Sequence, residues 1–256
     1  MIVKRFQPSA ALANVVRAFE IVESRDGMTR TLLPETGLVL GVRYAGAAAL
    51  VEHDGPHKMP DYVLSGLRSS TRRMQTLPGS GIVLTKFREG GAASFFQAPL
   101  HEIFEGALPL DSCLRASDVE RVAERVAEAK SDEGRIVVLE EMLLGMLRAP
   151  ADVLVQAAVR AIEADPASIR IAQLAGELGL SQDALEKRFR RAVGASPKKF
   201  ASIVRFKRAT DAYKPAMSLS QLSHEHGFSD QSHFIREFRS VTGHNPTRFF
   251  SDVEYC

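Results

Sequence analysis

Two short segments place polar side chains where they could read a polyanion. In 182–193, Asp183, Glu186, Lys187 and Arg190 recur at i, i+3, i+4 and i+7, a single helical stripe. Lys187 and Arg190 can donate to guanine edges or phosphates, and Asp183 and Glu186 can accept from the cytosine amino group. In 231–242 the corresponding face holds Gln231, Ser232, Ile235, Arg236 and Arg239. Glutamine suits adenine and arginine suits guanine; Ile235 either packs on a thymine methyl or closes the edge of a core. On periodicity alone, each stripe reads equally well as a solvated charged face. The elements that must hold the stripes decide between these readings.

Both stripes sit in the same local pattern. In IAQLAGELGLSQDALEKRFRRAVG (171–194), Ile171, Leu174, Ala175 and Leu178 predict a short amphipathic helix, and Gly179 a turn with positive φ. Ser181 is the expected N-cap of a second helix, with Leu185, Phe189 and Val193 inward and Gly194 at its end. The segment LSQLSHEHGFSDQSHFIREFRSVTG (219–243) repeats this. Gly227 turns the chain, Ser229 or Asp230 caps, Phe234, Phe238 and Val241 face inward, and Gly243 ends the unit. The tails match as well, ASPKKF against HNPTRF, each with a proline just inside the next helix. Helix, glycine turn and capped second helix make a helix-turn-helix, here in tandem. The segment 196–214, stopped by Pro215, predicts a linker helix of roughly 27 Å at 1.5 Å per residue. Such a rod suits two recognition helices about one DNA turn, near 34 Å, apart on one face of the duplex. Charge agrees: Pro166–Cys256 holds 14 Lys/Arg against 9 Asp/Glu, a net of +5, and the rest of the chain 19 against 22, a net of −3.

Residues 151–250 resemble the DNA-binding domain of the AraC/XylS transcription regulators. The resemblance is carried by LGLSQDALEKRFRRAVGASPKKF, VRFKRA and GFSDQSHFIREFRSVTGHNP. His224–Glu225–His226 departs from it, where the family usually has smaller or apolar residues. The resemblance implies a sequence-specific regulator of double-stranded DNA, entering the major groove at two adjacent sites on one face, and activation through contact with RNA polymerase. The expected DNA-binding residues are Ser181, Gln182, Asp183, Glu186, Lys187, Arg190, Lys198, Lys199, Gln231, Ser232, Ile235, Arg236 and Arg239. Lys207, Arg208 and Arg248 are further phosphate contacts or solvated charges. The two acids in the first stripe repel phosphate, so the first unit is expected to be selective but weak.

Residues 1 to about 112 read as mostly β. Apolar, β-branched runs at 15–23, 37–46, 48–53, 62–67 and 81–87 alternate with turn formers at 25–27, 53–56 and 77–81. A short helix is expected around Leu100–Glu105. Two helices follow, 117–130 capped by Ser117 or Asp118, and 133–148 with Ile136, Leu139, Leu143 and Leu147 in one stripe, ended by Pro150. The Met142, Leu143, Met146 and Leu147 face either joins the core or pairs with a second subunit. The expected fold is α+β: a β-rich domain ending in a helical hairpin (1–148), then an all-α domain (151–256) with units 169–194 and 218–243 joined by linker helix 196–214.

Residues 1–148 also resemble an N-terminal domain found in a branch of the family, through LLPETGLVLGVRYAG, YVLSGLRSSTRRMQTL and KFREGGAASFFQAPLHEIFEGALPLDSCL, with Glu89 where Pro is frequent. That implies binding of a small-molecule effector, homodimerisation, or both. Arg68, Arg72, Arg73 and Lys86 either face an anionic effector or are surface charges. A domain that meets only protein partners is an alternative.

No enzyme, cofactor or metal is expected. Cys113 and Cys256 are widely separated and read as reduced thiols, and Cys113 has no motif of the kind that a DNA-tethered methyl-acceptor or amidase-like domain needs. His224, His226, His233 and His244 lack established ligand spacing, and His53 and His57 lack the cupin pattern. No apolar run approaches bilayer length and the start MIVKRFQPSA lacks a signal core, so the expectation is a cytoplasmic protein that does not engage a membrane.

Overall fold

The computed structural model describes residues 1–214 and 217–252. Among the described residues, ten strands form two antiparallel sheets. The first holds β1 (Ile2–Phe6), β2 (Val16–Ser24), β4 (Val39–Ala45), β7 (Tyr62–Ser65), β9 (Ser80–Phe87) and β10 (Ala107–Pro109), in the order β1-β2-β9-β4-β7-β10. The second holds β3 (Met28–Leu32), β5 (Ala48–Glu52), β6 (Gly55–Lys58) and β8 (Arg72–Thr76), in the order β3-β8-β5-β6. The long apolar runs became β2, β4, β5, β7 and β9. The short strands β1, β3, β6, β8 and β10 lacked such runs and are recruited by pairing with neighbours.

Period-2 alternation gives β2 two uses. Phe19 and Ile21 face the helices, and Glu20, Val22 and Ser24 line a cavity between the sheets. On the helical side lie α1 (Ala116–Glu128) and α2 (Asp132–Met146), which bury Val119, Val126, Leu139 and Leu143 against Phe19, Leu40 and Val42. The first of these helices begins one residue before Ser117, with Arg115 as its N-cap and no side-chain cap bond. Its partner is capped by Ser131, which accepts from the Gly134 N–H at 3.1 Å. It ends at Met146, ahead of Pro150. The expected helix near Leu100 is a single 3-10 turn, Leu100–Ile103. Of the apolar face on α2, Leu143 is fully buried and Met142 and Met146 lean on the core, whereas Val137, Leu144 and the C-cap residue Leu147 are exposed.

The C-terminal helices are α3 (Val153–Ala164), α4 (Ile171–Glu177), α5 (Gln182–Val193), α6 (Pro197–Ala212), α7 (Leu219–Glu225), α8 (Gln231–Thr242) and α9 (Pro246–Asp252). The linker helix α6 has 16 residues, about 24 Å, and Tyr213 leaves it in an extended conformation. Its one flank feeds Phe200, Ile203 and Val204 into the core of the first unit, and its other flank feeds Phe206 and Ala209 into the second. The expected stop at Pro215 lies outside the described residues, as does Cys256.

Candidate nucleic-acid interface

Each recognition helix is held by its own sequence. Ser181 caps α5, accepting from the Ala184 N–H at 3.2 Å, and Gly194 ends that helix at φ 98°. Asp230, rather than Ser229, caps α8, accepting from the His233 N–H at 2.7 Å. That backbone bond holds the Asp230 carboxyl below the usual carboxylate range. Gly179 and Gly227 take φ of 68° and 69° at equivalent turns, and Gly243 closes the second unit at 73°. Leu185, Phe189 and Val193 on α5, and Phe234 and Phe238 on α8, are fully buried, which fixes the opposite face of each helix toward solvent.

The expected readers therefore fall on open faces. Gln182, Asp183, Lys187 and Arg190 are exposed on α5, and Gln231, Ser232, Arg236 and Arg239 on α8; Lys198 and Lys199 are exposed at the start of α6. Glu186 is half-buried and already engaged, accepting from Gln182 Nε2 at 3.1 Å with Arg190 Nη2 at 3.9 Å. Ile235 is half-buried, compatible with either reading of it. Ser181 has its hydroxyl committed to the cap.

Sequence reasoning did not foresee the junction between the units. Glu237 on α8 faces α6, accepting from Arg205 at 2.5 Å and Ser202 at 2.9 Å, with His233 Nε2 at 3.5 Å. The Arg205 guanidinium also lies over the Phe228 ring at 4.5 Å. In the stretch 202–205, Ser202 and Arg205 lie at i and i+3 on the linker helix, a spacing that could have signalled a polar contact within an apolar helix. The departure at His224–Glu225–His226 is accommodated at the C-terminus of α7, where His226 is the C-cap and burial lowers its pKa.

The β domain grips both units. The α5 helix rests on the 3-10 turns Gly91–Ser94 and Leu100–Ile103, and Leu67 is fully buried in the core of the first unit. Gln156 donates to the Glu89 carbonyl at 2.6 Å. Glu89, the departure from the frequent Pro, is buried and accepts from Arg17 and from Thr36, the latter at 2.6 Å. Toward the second unit, the Thr71 N–H donates to the Val241 carbonyl at 2.9 Å, and Leu33 packs on the aromatic core.

A family model described as a helix-turn-helix domain matches residues 174–252. The Msm operon regulatory protein of Streptococcus mutans is 32% identical over 88 residues, 34% of this chain and 32% of that relative. The chain thus spans about a third of the length of that relative. A solved AraC-type DNA-binding-domain regulator from Chromobacterium violaceum is 26% identical over 38% of this chain and 88% of that one, at a TM-score of 0.35. Residues 174–252 thus form a helix-turn-helix domain similar to those of AraC-type regulators. The whole fold of the chain is similar to ToxT from Vibrio cholerae, at 14% identity and a TM-score of 0.50, covering 90% of this chain and 96% of ToxT. ToxT is also recorded with an unsaturated fatty acid bound.

The cavity between the sheets has a volume of about 230 Å³. Of the four basic residues singled out in the N-terminal half, Arg68 and Lys86 line it and Arg72 and Arg73 do not. Lys86 is held between Glu20 at 3.0 Å and Glu35 at 3.3 Å. Glu35 is pushed up by burial, but Lys86 and then Lys207 bring its carboxyl below the usual range. Arg30 and Arg43, not singled out by sequence, also line the cavity. Their signal was alternation: Arg30 shares a face with Leu32, and Arg43 with Val39 and Gly41.

Elsewhere, burial raises the Cys113 thiol above its ordinary value, which holds it protonated and poorly nucleophilic. His57 sits on an exposed hairpin with Asp54 at 2.8 Å and Glu52 at 3.9 Å. No helix among the described residues is long and apolar enough to cross a membrane.

Proposed function

We propose that the protein is a sequence-specific transcription regulator that reads two adjacent major-groove sites with α5 and α8, and that its β domain takes a small-molecule effector. The observation that carries the DNA reading is the repetition of one complete unit, turn glycine, side-chain cap, buried aromatic back and polar front, at both ends of a single linker helix. In this reading Gln182, Asp183, Glu186, Lys187 and Arg190 contact one site, and Gln231, Ser232, Ile235, Arg236 and Arg239 the other. Lys198 and Lys199 meet phosphate at the start of α6, and Ser181 contributes its cap. Residues 1–148 and 151–256 act as sensing and DNA-binding domains.

Support for an effector comes from the cavity and from the loops that border it. Leu33 and Glu35 line the cavity while Leu33 packs on the second unit; Gly66 and Arg68 line it beside Leu67, which is in the core of the first. A ligand that shifts these loops alters how the two recognition helices sit relative to each other. Activation through RNA polymerase completes the reading. The exposed Val137 and Leu144 on α2, with Leu147 at its C-cap, support pairing with a second copy.

Selection of bound fragments from a random DNA pool, with the full chain at physiological salt, tests the DNA reading. Two enriched blocks about 10 base pairs apart are expected. Salt-sensitive retention without any enriched motif would reduce both faces to electrostatic contacts.

A further inference from the structure

The charges lining the cavity are distributed unequally along its length. Beside the DNA-binding domain, Lys86 is neutralised by Glu20 and Glu35. Along β9, Lys86 stands opposite Val39 and Ile82 opposite Arg43, so Arg43 lies four residues, about 13 Å, farther along the sheet. Arg30 faces the cavity from the other sheet, in register with Met74, two residues short of Thr76. Thr76 and Ser80 bracket the turn joining β8 to β9, and both line the cavity. The two arginines thus approach the same end from opposite sheets.

Neither is fully satisfied among the described residues. Both side chains belong to residues more than nine-tenths buried, at 9% and 7% exposure, and both Nε atoms lack a hydrogen-bond partner among the described residues. Arg30 makes no ion pair there, and its Nη1 meets only the Met1 thioether, a weak acceptor. Arg43 pairs with Asp61, Nε to Oδ1 at 3.5 Å, but the two form no hydrogen bond, and Asp61 Oδ1 has no other hydrogen-bond partner among the described residues. Burial, only partly offset by Asp61, pulls the Arg43 guanidinium below its ordinary pKa. Counting Arg30, Arg43, Arg68 and Lys86 against Glu20 and Glu35, the lining carries four positive and two negative side chains, a net of +2. A buried guanidinium whose Nε lacks an acceptor is a costly arrangement. A bound anion relieves it, and a carboxylate matches the guanidinium fork.

We infer that the effector is a small amphipathic carboxylate, its anionic group held by Arg30 and Arg43 and its apolar body lying along Val22, Leu32, Val63 and Ile82. The inference rests on the cavity being the effector site. It specifies which end of the cavity holds the charge, the end away from the DNA-binding domain.

The test uses the full chain and a neutral fluorescent apolar probe, N-phenyl-1-naphthylamine, displaced by octanoate or by its uncharged counterpart octanol at neutral pH. Octanoate is expected to displace the probe at about a tenfold to hundredfold lower concentration than octanol, the range supplied by a charge-assisted hydrogen bond. Arg30→Gln and Arg43→Gln should each remove most of that preference while leaving octanol competition unchanged, with far-UV circular dichroism confirming the fold. Equal displacement by octanoate and octanol in the unaltered protein overturns the carboxylate assignment and leaves the cavity reading standing, whether or not the variants fold. Failure of the probe to bind at all overturns both.

Discussion

The two helix-turn-helix units share a plan, but the surrounding protein treats them differently. In the first, α5 lies on the 3-10 turns of the β domain, Leu67 enters its core, and Gly194 is buried with the Leu100 carbonyl 3.3 Å from where a Cβ would stand. In the second, the core is nearly all aromatic (Phe206, Phe228, Phe234, Phe238 and Phe249), and a Cβ on the equivalent Gly243 meets nothing within 4 Å. The turn glycines reverse the order. Gly179 faces open space, whereas a Cβ on Gly227 would come within 2.3 Å of the Ala167 Cβ. The recognition faces differ as well: α5 mixes acids with bases and ties Glu186 to its neighbours, whereas the proposed readers on α8 carry no carboxylate. A duplicated motif can thus keep its geometry while its two copies take different jobs. The first is anchored to the β domain, and the second is attached more lightly and presents Arg236 and Arg239 beside the Asp230 cap.

The largest expected effect comes from emptying the second core. Phe238→Ala should cost about 3–5 kcal/mol and, because that core holds few residues of the β domain, should produce an early, separate urea transition. A single cooperative transition would show that the units are not energetically separable. Glu237→Ala strands Arg205 between α6 and α8, and a loss of about 1.5–3 kcal/mol is expected in the same measurement. A loss below 0.5 kcal/mol would place the coupling of the units in packing alone.

Arg236→Ala and Arg239→Ala should each weaken binding to a selected site by about 1–3 kcal/mol and relax preference at one base position, as followed by fluorescence anisotropy. Uniform weakening across sequences would make them phosphate contacts. Gly179→Ala is expected to cost about 1–2 kcal/mol for its left-handed backbone alone, and Gly227→Ala more, since Ala167 must also move; equal melting shifts would remove that distinction. The smallest effect is Lys198→Ala, expected to lower the slope of log affinity against log salt by about 0.9.

Much of this was legible in the sequence because helix-turn-helix units are local. Their glycines, caps and buried aromatics lie within some twenty-five residues of one another, so Ser181, Gly179, Phe189 and Phe238 could be assigned from spacing. The strongly apolar strands were legible for the same reason. Short strands such as β6 and β10 were not, because their pairing partners, and not their own residues, make them strands. Glu237 was invisible as a junction residue because its partners Ser202 and Arg205 lie more than thirty positions away.

By itself, the sequence determined the α+β division, the duplicated unit, the linker helix and the faces that α5 and α8 turn outward, since helical periodicity and capping are properties of consecutive residues. Which cap serves α8, how the β domain grips each unit, and that Arg30 and Arg43 line one cavity from opposite sheets were set by long-range packing. Those depend on strand register and sheet pairing, which bring distant residues together and leave the Nε atoms of two buried arginines without a hydrogen-bond partner among the described residues.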